Sequence, residues 1–143
     1  MKESIGNSYL IMIAMVFLFI LMGLLVSALS FSKAFKAKNK IINVIEKYNG
    51  FNSESQAEVE KDLFKMGYKG SNSVSLCETI DNMTIVHDAT KGSYNYCVYE
   101  VKTSRGYYYH VVTFTNFDIP ILGDYIKFEV KGDSRTVYQN MEG

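Results

Sequence analysis

A single stretch limits what this chain can fold into. Residues 9–31 read YLIMIAMVFLFILMGLLVSALSF, without a charge or a proline. As a helix rising about 1.5 Å per residue, the run is roughly 34 Å long, enough to cross a hydrocarbon core of about 30 Å. A soluble core helix that is apolar on every face would need more protein around it than a 143-residue chain supplies. A cleaved signal peptide is a second reading, because Val26-Ser27-Ala28 has the small residues of a peptidase site. Against it, the apolar run exceeds the usual ~7–15 residues and the leader MKE is hardly basic. A retained single-pass helix, with membrane lipid as its surroundings, fits best.

The remainder suits one small domain. Formal net charge is +0, which argues against a nucleic-acid partner held by a basic surface. Tyr (11) and Phe (9) are frequent and Pro occurs once, a balance that favours β-structure over a disordered tail. The spacing of the two cysteines, Cys77 and Cys97, does not show contact. They suit one disulfide in an exported domain, and two separate buried thiols are the alternative.

In chain order, residues 1–8 are a short polar leader and 9–31 the transmembrane helix. Residues 32–48 extend the same helix, because no Pro or Gly intervenes before Gly50 and Ile41, Val44 or Ile45, and Tyr48 recur at helical spacing. One helix over about residues 6–48 is expected, ended by Asn49-Gly50. Residues 49–72 hold a loop and a short helix over about 55–66, opened by a Ser55/Glu58 capping box and closed by Gly67.

From residue 73 the period shifts towards two, and 73–143 read as an antiparallel β domain of four to six strands. VSLCETI (74–80) and MTIVHD (83–88) form a hairpin turning at Asp81-Asn82, with a further turn at Thr90-Lys91-Gly92-Ser93. YNYCVYEVKT (94–103) and YYYHVVTFTNF (107–117) form another around Ser104-Arg105-Gly106. DYIKFEV (124–130) places Ile126, Phe128 and Val130 inward, and Lys131-Gly132-Asp133 turns into SRTVYQN (134–140). The fold class is α+β, a long helix packed on a C-terminal sheet.

Little in the chain suggests chemistry. No nucleophile elbow, zinc-protease pair, P-loop or C-x-x-C is present, and His87 and His110 have no spacing that makes them converge on Asp88 or Glu100. Neither an enzyme, a metal site nor a cofactor is expected. Alternation puts Tyr107 and Tyr109 on one face of their strand; with Tyr94 and Tyr96 they are candidates for a protein-contact surface, cross-strand packing being the plainer explanation.

Two stretches resemble a known family. The first is the short leader ending in Gly6, followed by Asn7-Ser8 and an unbroken apolar helix; the second is FDIPILGDYIKFEVKGDSRTVY (117–138). Together they resemble minor pilin-like proteins (pseudopilins) of the tight-adherence, type IV pilus kind in Gram-positive bacteria. The resemblance implies a pilin-like fold, other pilin-like subunits and membrane assembly proteins as partners, and a prepilin peptidase cutting between Gly6 and Asn7. Pilins usually carry a glutamate five residues after the processed glycine, where this chain has Ile11. That departure points to a minor or assembly-priming subunit rather than a repeating one. The alternatives are a membrane-tethered sensor or ligand-binding module using the tyrosine-rich sheet, and a secreted domain released after Ala28.

Orientation is contested. Lys33, Lys36, Lys38 and Lys40 come after the span, and the positive-inside rule would keep the C-terminal domain in the cytoplasm. The cysteine pair and the resemblance place the domain outside, and that orientation is the one favoured.

Overall fold

The computed structural model describes residues 2–68, 77–90, 92–116 and 127–138. The expected strand over 74–76, Lys91 of the 90–93 turn, the 117–126 connection and residues 139–140 lie outside them.

Helix α1 runs unbroken from Lys2 to Lys47, 46 residues or about 69 Å at the helical rise. It begins before the expected residue 6 and takes in residues 2–8, since nothing there stops a helix. The helix stops by a Schellman arrangement. Asn49 adopts φ 51°, its N–H donates to the Glu46 carbonyl (3.3 Å), and the Gly50 N–H donates to that of Ile45 (3.0 Å).

Helix α2 spans Ser53–Lys65. It begins earlier than the sequence suggests, because Asn52 rather than Ser55 is its N-cap. The Asn52 side chain accepts from the Ser55 N–H, and the Asn52 N–H donates to Ser55 Oγ, both at 2.8 Å. This is the capping box shifted by one turn, leaving Glu58 for other work. A second Schellman arrangement ends α2: Gly67 at φ 63° donates to the Phe64 carbonyl and Tyr68 to that of Leu63.

Five strands complete the described chain: β1 (Met83–His87), β2 (Tyr96–Thr103), β3 (Gly106–Asn116), β4 (Lys127–Asp133) and β5 (Val137–Tyr138). All pairings are antiparallel in the order β1-β2-β3-β4, and β5 continues along the β3 edge beyond β4. Two expectations are corrected. Residues 77–80 are not a strand; Cys77 is held over the sheet face by Cys97, and the Tyr99 hydroxyl donates to the Glu78 carbonyl (2.9 Å). Gly132 is no turn residue but lies within β4, where α1 crosses: a Cβ there would come 2.7 Å from Lys38 Cδ and 3.1 Å from Ile42 Cδ1.

Both faces of the sheet are covered. On one, Ala37, Ile41, Val44 and Ile45 of α1 and Val59 and Leu63 of α2 pack on Tyr96, Val98, Tyr109 and Val111. Each large aliphatic so buried contributes about 1.5–3 kcal/mol. On the other, the bonded pair Cys77–Cys97 packs with Ala89, Tyr99, Val112 and Phe114.

Candidate membrane anchor and contact surfaces

Among the described residues, nothing covers the first half of α1 from residue 4 onward. Residues 4–22 are exposed throughout, Phe19 to 71%. A bare apolar cylinder of this length presents on the order of 1,000 Å², against the few hundred Å² that soluble monomers leave exposed. The helix is long and apolar enough to cross a membrane, which makes a single-pass anchor consistent with the structure. Its one hydroxyl between Tyr9 and Ala28, on Ser27, is satisfied within the helix by donating to the Gly23 carbonyl (2.8 Å). Gly6 and Asn7 lie on the exposed helical surface near its start, and Ile11 is 58% exposed.

The sheet meets α1 earlier than the Ile41–Tyr48 stripe implies. Ala34 and Ala37 are fully buried, and the hydroxyls of Thr113 and Thr115 donate to the carbonyls of Ala34 (3.1 Å) and Ser30 (3.4 Å). Small residues at 30, 34 and 37 continue the stripe back at helical spacing, a signal the sequence holds but that larger apolar residues obscure.

Helix α2 is clamped to α1 by charge. Lys40 pairs with Asp62 (3.3 Å); Lys47 (2.9 Å) and the Tyr48 hydroxyl (2.6 Å) both donate to Glu58. Those bonds, Tyr48 foremost and Lys47 next, hold the Glu58 carboxyl below the usual glutamate range. A charge pattern cannot reveal such pairing before the relative placement of the helices is known.

Half of the candidate tyrosine surface is instead interior. Tyr96 is 1% and Tyr109 5% exposed, both in the core under α1, and Tyr94 and Tyr107 are half-buried against it. The alternation expected for β3 placed Tyr107 and Tyr109 together, and their rings meet edge-on at 5.7 Å. The face they share is the one that α1 covers, which takes Tyr96 and Tyr109 out of any contact surface. Tyr109 reaches the Phe51 backbone through its hydroxyl, and the Tyr107 hydroxyl lies 3.5 Å from the Asn49 carbonyl. The tyrosines thus hold the α1–α2 corner. Burial pushes the Tyr68, Tyr96, Tyr99 and Tyr109 hydroxyls above the ordinary tyrosine range.

The histidines do not converge. His87 is buried and stacks on Tyr96 (4.4 Å between centroids), on the helix-covered face. His110 pairs with Asp133 and tilts against Tyr99, on the other face. Among the described residues no group of three His, Cys, Asp or Glu side chains is placed to hold a metal ion. No family model, curated protein or solved structure matches this chain.

Proposed function

We propose that the chain is a single-pass, membrane-anchored minor pilin-like subunit. In this reading it assists the assembly of a pilus or related secretion system through helix–helix and domain contacts and catalyses no reaction. One observation carries the reading: a single unbroken helix is bare and apolar in its first half and forms the spine of an antiparallel sheet domain in its second. The same apolar half would pass from lipid to a bundle of neighbouring helices. The Cys77–Cys97 bond supports an extracytoplasmic domain, since such bonds persist in oxidising compartments. Gly6 stands on an exposed stretch of helix, as a processing position requires.

Co-expression with a prepilin peptidase tests the reading. The expected result is a mature mass lacking residues 1–6 that reverts to full length in Gly6→Leu. An unchanged mass with the peptidase present contradicts processing and with it the pilin assignment.

A further inference from the structure

The junction between anchor and domain has almost no length. The apolar run ends at Phe31, yet the sheet already touches α1 at Ser30, through Thr115, and at Ala34, through Thr113. Because α1 is continuous here, residues beyond Phe31 rise at a known rate: Lys33 stands about 3 Å, Phe35 about 6 Å and Lys36 about 7.5 Å above Phe31 along the axis. The headgroup layer beyond the hydrocarbon is about 5–8 Å thick on each side. These residues, and the end of the sheet beside them, therefore fall within that layer.

The side chains at that level have the chemistry of an interface. Phe31 (49%) and Phe35 (45%) are exposed and share a helix side with Lys38 and Ile42, whose ends lie over Gly132 of β4. Further down the same strand, Phe128 (46% exposed) is opposite Thr115, at the level of Ser30. Lys33 and Lys36 are exposed, whereas Lys40 is paired with Asp62 and the Lys38 ammonium sits 4.2 Å from the Phe35 ring centre. Aromatic rings with lysines around them are the composition that settles at headgroup depth.

We propose that the domain sits directly on the bilayer, with Phe31, Phe35 and Phe128 in the headgroup layer and Lys33 and Lys36 against the phosphates of anionic phospholipid. This rests on the membrane-anchor reading of residues 9–31 and adds a defined seat for the domain. It makes the membrane face on the domain's side a second binding surface, one that restrains the domain's tilt and presents the β2–β3 turn away from lipid.

The chain has no tryptophan, so single substitutions report depth without background. The full-length protein carrying Phe35→Trp, Phe128→Trp, Phe17→Trp or Tyr138→Trp is reconstituted into phosphatidylglycerol-containing vesicles with brominated lipids. Tyr138 is 68% exposed at the far end of the sheet, where it pairs with Gly106. The expected result is blue-shifted, bromine-quenched emission at positions 35 and 128, strong quenching at 17 and unquenched red emission at 138. Replacing the anionic lipid by phosphatidylcholine, or combining Lys33→Gln with Lys36→Gln, shifts positions 35 and 128 back towards the red. Solvent-like emission at 35 and 128 with quenching at 17 overturns the seat and leaves the anchor standing. Equal quenching at 138 overturns the geometry, and indifference to lipid charge overturns the anionic contact. No quenching at 17 overturns the anchor reading itself.

Discussion

At the scale of residues, the buried tyrosines carry the clearest consequences. The Tyr68 hydroxyl donates to the carbonyls of Asn95 (3.0 Å) and Phe114, joining the end of α2 to β3 and to the residue before β2. Tyr68→Phe removes both bonds from a buried site and is expected to cost about 1–3 kcal/mol in chemical denaturation in detergent. The same hydroxyl supplies a pH prediction. Its folded pKa is raised above the ordinary 10.0 by burial, as is that of Tyr96. The stability tied to the neutral form is therefore complete below pH 10.0 and lost as pH rises above it. Ultraviolet titration should show a late tyrosinate step that coincides with loss of circular dichroism; ordinary titration of every tyrosine with the fold intact would contradict the burial. That Tyr96 and Tyr109 fall on alternating strands is readable in the sequence. Which face the helix covers is not, because both faces of β2 and β3 are apolar enough to be buried.

At the scale of elements, the close approach of α1 to β4 depends on Gly132. Lys38 and Ile42 occupy the space a side chain would take, so Gly132→Leu should pry the helix from the strand and cost about 1–3 kcal/mol by overpacking. Unchanged stability would show that the helix does not bear on that strand. On the opposite face, the Cys77–Cys97 bond closes a loop with a sequence separation of 20 and holds residues 77–80 on the sheet. Cys77→Ala with Cys97→Ala should lower stability by about 3 kcal/mol on chain-entropy grounds, read as a lower midpoint in denaturant. The periodicity of 41, 45 and 48 exposed the helix stripe, and alternation exposed strands β2 to β4. The strand expected across 77–80 misled because alternating apolar residues also describe a segment lying flat over a sheet, where the disulfide rather than a ladder of backbone bonds holds it. The capping box was displaced because Asn52 and Ser55 offer the same spacing as Ser55 and Glu58, and Glu58 is drawn instead to Lys47 and Tyr48.

At the scale of the whole molecule, one rod joins a bare apolar half to the sheet domain. The rod was legible in the sequence: an uncharged run, then a stripe, with no helix breaker between them. The absence of a stalk was not, because it depends on Thr113 and Thr115 reaching backbone carbonyls that far down α1. With no stalk, the domain's side of the membrane and its attachment are one question. Ser104→Cys, in the exposed turn at the far end of the sheet, adds a free thiol while the native pair stays bonded. Intact cells producing this variant are treated with a membrane-impermeant maleimide, and membranes are then washed with alkaline carbonate. An outward, anchored domain gives protein that is labelled before lysis and pellets with the membranes. Labelling only after lysis, or labelled protein released into the medium or the wash, contradicts it.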